Sequence, residues 1–323
     1  DLFARVFPFD LRPQGHDIIR TWLFSTVVRS HLEHGSLPWT DAALSGWILD
    51  PDRKKMSKSK GNVVTPMGLL EQHGTDAVRY WAAGGRLGTD TAFDEGQMKV
   101  GRRLATKLLN ASKFALGFPE APEGPVTEPL DLALLARLRE VVEESTKAFE
   151  AYDYSRALER TEAFFWTFCD DYIELVKGRA YAEGPEAESA SRALRLALDV
   201  LLRLFAPVLP FATEEVWSWW REGSVHRTSW PTVDELGTAT GDPALLVAAG
   251  EALSAVRKAK SSAKRSMKAE VERFVVTGDD ARLALLRQAE GDLKNAGVVA
   301  SVEFVVGEPG FDATLAPEQP VTA

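Results

Sequence analysis

The sequence predicts a chain of three parts: a short α/β segment, a long all-α bundle and a small α/β appendage. Three observations carry this expectation. A brief apolar run, Ser45 to Asp50, is entered through Gly46, ends at Asp50-Pro51 and leads into a loop rich in lysine and serine. Helical periodicity then dominates from about residue 97 to 221, and beyond Gly241 two alternating runs, Val271 to Val276 and Val298 to Val306, flank a further helical segment. With 323 residues and 45% hydrophobic content, the chain is long enough for two or three domains with proper cores.

Taken in order, the first element is a helix with Asp17 as its N-cap and with Ile18, Ile19, Trp22, Leu23 and Val27 on one face, ending at Gly35. On this reading Trp22 is a core residue, because a large aromatic on an apolar helix face normally packs. Ser45 to Asp50 reads as a buried strand. Thr65-Pro66, followed by Met67, Leu69 and Leu70, starts a helix, and short helices broken at Gly74, Gly84, Gly85 and Gly88 fill 67–96. Strand, loop, helix is the order in which an open α/β sheet offers a nucleotide the carboxyl ends of its strands.

Between strand and helix lies Lys55-Met56-Ser57-Lys58-Ser59. At average residue usage this pentapeptide arises by chance in roughly one chain of this length in ten thousand. Two lysines interleaved with small hydroxyl residues and followed by Gly61 form a cationic strip suited to a polyphosphate. Lys55 and Lys58 can neutralise charge building up on a departing pyrophosphate.

The bundle helices are expected at about 97–116, 128–150, 153–182, 187–205 and 212–221. Their breaks carry Gly117, Pro119, Pro122, Pro125 and Pro129, then Gly184-Pro185, then Pro207 and Pro210. On the first helix Lys99, Arg102, Arg103 and Lys107 share one face while Val100, Leu104, Leu108 and Ala111 line another. The single Cys169 excludes internal disulfides and a cysteine zinc site, and its aromatic surroundings predict a buried thiol. Trp217 reads as core. Trp219 and Trp220 cannot both face inward with it, since helix neighbours point about 100° apart, so one of them is expected at the surface as a candidate for base stacking.

In the appendage a helix is expected over 243–264, the strand 271–276, a helix over 280–295 and the strand 298–306, with a fraying tail from Gly307. Arg257 to Lys268 holds six basic residues and no acid. A net charge of −9 argues against general nucleic-acid affinity, so RNA contact has to come from such local patches. No apolar run reaches membrane-spanning length.

The Lys55–Ser59 signature, the segment Gly15-His16-Asp17-Ile18-Ile19-Arg20-Thr21-Trp22, and the stretches Phe93–Phe114, Phe164–Lys177 and Pro210–Trp217 together resemble the class Ia aminoacyl-tRNA synthetases. Within them the Asn110 and Phe114 ending of the first bundle helix is most similar to the valine-specific branch, and Gln14 before the Gly-x-Asp form to its archaeal-type members. The resemblance runs from about Phe3 to about Trp230 and more weakly to about Val306. It implies that 1–66 is the second half of a class I Rossmann-like catalytic domain, 67–96 a stem-contact region, 97–240 an anticodon-binding helical domain, 241–306 a small α/β subdomain and 307–323 a tail.

The resemblance also implies roles. Lys55 and Lys58 are the catalytic cations, and Gly15, Asp17, Ile48, Met56, Ser57, Lys58 and Ser59 surround ATP, with Asp17 on the ribose. Trp22 walls the amino-acid pocket. Lys99, Arg102, Arg103 and Lys107 on one patch, and Arg257, Lys258, Lys260, Lys264 and Arg265 on the other, contact tRNA phosphates. ATP with Mg2+, valine and tRNA(Val) are the implied partners, no protein metal site is implied, and the intact enzyme is expected to be a cytoplasmic monomer. The HIGH-type motif, the editing domain and a terminal coiled coil find no match, and none of His16, His31, His34, His73 or His226 has the HIGH setting. The chain is therefore expected to be a carboxyl-terminal fragment, inactive alone. Alternatives are an isoleucine-type fragment, a tRNA-binding module without chemistry, and another adenylyltransferase of the same nucleotide fold, which leaves the bundle unexplained.

Overall fold

A computed structural model describes residues 2–237 and 240–317; the last residues of the expected tail, 318–323, lie outside the described residues. In chain order the elements are α1 (Leu2–Val6), β1 (Phe9–Gly15), α2 (Phe24–His34), β2 (Trp39–Ser45), β3 (Ile48–Leu49), α3 (Pro66–His73), α4 (Thr75–Ala83), β4 (Thr91–Ala92) and α5 (Glu95–Leu116). There follow α6 (Pro129–Glu150), α7 (Tyr154–Thr167), α8 (Ile173–Ala180), α9 (Pro185–Phe205) and α10 (Pro210–Ser218). Last come α11 (Pro243–Ser262), β5 (Val271–Gly278), α12 (Asp280–Arg287), α13 (Glu290–Gly297), β6 (Val299–Val306) and β7 (Gly310–Leu315).

These elements form two compact units interleaved along the chain. The first holds residues up to Lys107 with Ser145–Glu159 and Ala206–Glu215; the second holds Leu108–Glu144, Arg160–Phe205 and the residues from Val216. The domain limits expected from sequence follow chain order, and the compact units do not.

In the first unit β1 and β2 pair in parallel, with Gly15 opposite Ser45 at their carboxyl ends, and β3 pairs in parallel with β4. Parallel pairing requires a crossover, and the helical stretch that ends in α2 provides it. Two expectations change here. The strand foreseen over Ser45–Asp50 shrinks to Ile48–Leu49, with Ile48 exposed, because the longer strand lies one step earlier at Trp39–Ser45. Asp17 is not an N-cap: it sits inside a short 3-10 turn, His16–Ile18, whose cap Gly15 makes no side-chain bond, and a π turn over Ile19–Leu23 follows before α2 begins. The helix does end as expected, at Gly35 in the left-handed region (φ 67°). Nearby, α3 starts at Pro66 after Thr65, and Asp76 in α4 accepts the backbone amides of Phe211 (3.1 Å) and Ala212 (2.7 Å) at the start of α10. Gly101 of α5 packs so closely on Tyr80 that a Cβ there would lie 2.6 Å from it.

The second unit has the denser core. Phe165, Phe168, Tyr172, Leu198, Leu201 and Phe205 are fully buried, as is Leu108 of α5. The single helix expected over 153–182 runs as α7 and α8 joined by a π turn, Phe168–Tyr172, which contains the buried Cys169. A buried polar cluster ties the helices together. Asp131 of α6 accepts from Arg179 Nη2 (2.8 Å) and Nη1 (2.9 Å), from the Tyr172 hydroxyl (2.8 Å) and from Ser189 Oγ (2.7 Å). Arg179 also donates to Asp292 of α13, from Nε (3.0 Å) and Nη2 (3.1 Å). Burial pulls the Arg179 guanidinium down, but its bonds and charge contacts with Asp131 and Asp292 outweigh this and hold it above its ordinary value. Burial and then the Asp131 charge push the Tyr172 phenol well up.

The appendage is a three-stranded sheet in the order β6-β5-β7, with β6 parallel and β7 antiparallel to β5. It corrects the expectation of a fraying tail from Gly307: Phe311, Ala313 and Leu315 alternate with polar residues along β7, and β5 supplies its hydrogen-bond partners. The helix expected over 280–295 is two helices, α12 and α13, parted at Gln288-Ala289.

Candidate functional site

The lysine loop is built by two side chains that are not lysines. After β3 the chain turns at Asp50–Arg53, with the Arg53 amide donating to the Asp50 carbonyl (2.9 Å) and Arg53 at φ 61°, and returns so that Lys55 bridges Leu49 in antiparallel fashion. The buried Asp50 carboxylate accepts the Lys54 amide (2.7 Å) and Asn62 Nδ2 (2.8 Å). Asn62 closes the loop from its other end, accepting the Ser57 amide at Oδ1 (2.9 Å) and donating to the Lys55 carbonyl (3.2 Å). These bonds, the Lys54 amide first and Asn62 second, hold the Asp50 carboxyl below its ordinary value. Ser57 and Ser59 bond each other through their hydroxyls (3.2 Å), and the 3-10 turn Lys58–Lys60 ends at Gly61 (φ 69°). Lys55 and Lys58 are both exposed and Met56 is half-buried.

At the carboxyl ends of β1 and β2, Gly15 lies opposite Ser45. Gly15 carries no Cβ because one would fall 2.7 Å from Asp17 Oδ1, so the Asp17 carboxylate folds back over it. His16 Nδ1 is 3.1 Å from the Ser45 carbonyl, and its ring lies 4.7 Å from that of Trp47, at the entry to β3. Gly15 and Asp17 thus lie at the carboxyl end of β1, and Ile48 and the Lys55 loop on and after β3 of the separate β3–β4 pair, while His16 and Lys55 both approach the Trp47 ring. Trp22 is 54% exposed, with the Arg12 guanidinium 5.6 Å from its ring, so it is not the core residue its helix position suggests. Among the described residues no group of three or more His, Cys, Asp or Glu side chains could hold a metal ion.

The two basic patches fare differently. On α5, Lys99, Arg102 and Arg103 are exposed and Lys107 is half-buried, while Met98, Leu104 and Leu108 face the core. Arg102 Nη1 also donates to the Gln72 carbonyl (2.9 Å). In the second patch Lys260 has to be corrected. It is 1% exposed, and its ammonium donates to the carbonyls of Gly297 (2.7 Å) and Met267 (2.9 Å), so it presents no charge to a phosphate. Burial without a carboxylate partner pulls its pKa down. Arg257 donates to the Asp170 carbonyl (2.8 Å) and Arg265 to the Ala316 carbonyl (3.2 Å), which leaves Lys258 and Lys264 as the exposed cations of the set.

Trp217 is core, as expected, and Trp219 is the exposed member of the trio. The second unit adds residues no linear scan could collect. Lys113 Nζ lies 5.8 Å from the Trp219 ring, Arg221 lies 4.3 Å over Trp220 with Arg195 at 6.0 Å, and exposed Tyr181 stands edge-on to Phe118 (4.9 Å). These side chains come from four separate helical segments, so no motif announces them.

Residues 1–94 match the family described as tRNA synthetases class I (I, L, M and V), and residues 131–275 match the anticodon-binding domain of tRNA ligase. The chain is 63% identical to the valine–tRNA ligase of Thermobifida fusca over 99% of its own length and 37% of that protein's. The valine–tRNA ligase of Salinispora tropica is 57% identical over 98% of this chain and 39% of that one. The chain thus spans about two fifths of the curated relatives it matches. Among solved structures, the Agrobacterium radiobacter K84 agnB2 LeuRS ternary complex superposes with a TM-score of 0.57 at 20% identity, over 72% of this chain and 30% of that one, which shows the shared fold. The chain belongs to the class I aminoacyl-tRNA synthetases, within the group of the valine–tRNA ligases.

Proposed function

We propose that the chain serves the ATP-dependent joining of valine to tRNA(Val), supplying the polyphosphate loop from its first unit and tRNA-binding surfaces from both. The observation that carries this reading is the placing of Gly15–Asp17 at the carboxyl end of β1, in the parallel β1–β2 pair, and of the Lys55–Ser59 loop just after β3, in the parallel β3–β4 pair. In the first step a valine carboxylate oxygen attacks the α-phosphorus of ATP and the bond to pyrophosphate breaks. Lys55 and Lys58 oppose the charge gathering on the departing pyrophosphate, and the Asp50–Asn62 clamp keeps their loop in one shape. Asp17 accepts from the ribose hydroxyls, and the exposed face of Trp22 borders the valine side chain. In the second step a terminal ribose hydroxyl of the tRNA attacks the acyl carbonyl and AMP leaves. Bound with the nucleotide, magnesium would add positive charge on the phosphates beside that of Lys55 and Lys58.

For the tRNA, Lys99, Arg102, Arg103 and Lys107 supply phosphate contacts from the first unit. Lys258 and Lys264, flanked by Arg257 and Arg265, supply them from the second. The helices of 97–240 hold the anticodon arm, which makes the cation-lined aromatics around Trp219 and Trp220 its nearest match in chemistry. The protein acts as a cytoplasmic monomer. The deciding experiment is binding of the purified chain to valine-accepting and isoleucine-accepting tRNA at two salt concentrations, with ATP binding followed in parallel. Selective binding of the valine tRNA that weakens as salt rises is expected. ATP binding with no tRNA selectivity would instead favour an adenylyltransferase that lacks an anticodon module.

A further inference from the structure

Trp47 belongs to none of the motifs that point to function, yet two site residues rest on its ring. Lys55 Nζ lies 3.8 Å from the indole centroid, and the His16 imidazole is 4.7 Å away at an interplanar angle of 43°. The backbone explains why the lysine arrives there. The chain leaves Trp47 through β3, turns at Asp50–Arg53 and comes back with Lys55 opposite Leu49. Each end of the arrangement is fixed: the Trp47 amide donates to Asp90 Oδ1 (2.8 Å), and Asn62 holds the Lys55 carbonyl (3.2 Å). An ammonium over an indole face is attracted by the ring quadrupole. A lysine left free samples many rotamers and loses that freedom when it engages a ligand.

We infer that Trp47 is a positioning residue for Lys55: its indole face seats the ammonium at the strand ends before a polyphosphate arrives, so the lysine enters the reaction already ordered. This rests on the reading of the lysine loop given under the proposed function. Lys55 acts on charge that grows in the transition state, so an ordered Lys55 lowers the barrier more than it tightens ATP. His16, held by the Ser45 carbonyl, buttresses the same ring and joins the Gly15–Asp17 segment to the lysine loop through it.

The test uses the full-length protein that carries this chain, as wild type, Trp47→Leu, Trp47→Phe, Lys55→Ala and the double variant Trp47→Leu/Lys55→Ala, assayed by valine-dependent pyrophosphate exchange. Trp47→Leu is expected to lower kcat about fivefold with the KM for ATP changed by less than about twofold, and Trp47→Phe to recover most of the loss. In the Lys55→Ala background the Trp47→Leu change should add nothing. Equal losses in both backgrounds would mean that Trp47 only supports the fold, and would overturn the inference. A readout free of catalysis uses this chain itself: ring current should shift the Lys55 Hε protons upfield of those of Lys58, and Trp47→Leu should abolish the difference. Coincident Lys55 and Lys58 signals in the wild type would overturn the seat. A wild-type protein without exchange activity would sink the proposed function and leave the lysine spectra to decide on Trp47.

Discussion

In the second unit Phe165, Phe168, Leu198 and Phe205 are closed off from solvent, as is the Arg179 guanidinium on Asp131, whereas in the first Leu2, Phe9, Trp22, Phe24 and Leu32 leave more than half of their surface in water. The strands of the first unit come in two separate pairs rather than one continuous sheet. The helices of the second unit satisfy their own backbones and bury continuous apolar faces. The contrast shows that stability and chemistry have different addresses. The side chains proposed to act on ATP hang on a thin parallel pair, where local opening costs least. The candidate RNA-binding aromatics stand on a well-packed core.

The sharpest way to break this contrast is to cut the polar cluster of the second unit. Arg179→Met leaves the Asp131 and Asp292 carboxylates without a counter-charge and should destabilise that unit by about 3–5 kcal/mol. Denaturant unfolding followed by helical circular dichroism measures the loss. Amide exchange of β1 and β2 should stay as it is, and equal loosening there would dissolve the distinction between the two units.

A smaller effect is expected at Lys260. Replacing it with Met strips the buried Gly297 carbonyl and the part-buried Met267 carbonyl of their donor, at a cost of about 1–3 kcal/mol. The pH dependence carries more information. Because burial lowers the Lys260 pKa in the folded state, the unfolded chain binds the proton more readily. Wild-type stability relative to Lys260→Met should therefore rise with pH between the lowered folded value and the ordinary lysine value, and be least below that window. A flat difference across alkaline pH would place the ammonium in water.

The least change in global stability is expected in the first unit. Asn62→Ala should leave thermal unfolding nearly unmoved while raising exchange of the Ser57 amide about tenfold. In the wild type that protection should also fade in acid. The Asp50 pKa is depressed, so its contribution is present above the ordinary carboxylate value and is lost as pH falls through the lowered one. A Ser57 amide indifferent to both changes would show that the loop is shaped by something other than the clamp.

Legibility followed the same divide. The lysine loop and the long helices could be read from local pattern, because a pentapeptide motif and a 3.6-residue period are both written in consecutive residues. β1 could not: Phe9–Gly15 carries Asp10, Arg12, Pro13 and Gln14 and becomes a strand only because β2 lies beside it. β7 was hidden among Gly and Pro residues although its Phe311, Ala313 and Leu315 alternate. Lys260 shows the limit of a charge census, since six neighbouring cations look alike until one of them is found inside. In the sequence Asp50 marks only the end of a strand and Asn62 carries no role; together they clamp the loop, a role that depends on twelve residues of separation closing in space.

The Arg179 cluster bears on where this polypeptide can be cut. The anticodon-domain match ends at Val275, in the middle of β5. A truncation there would remove β6 and β7, leaving what remains of β5 with two open edges, and would take away Asp292, one of the two carboxylates on Arg179. A shortened version that keeps both carboxylates on Arg179 and all three strands should therefore run on through Leu315.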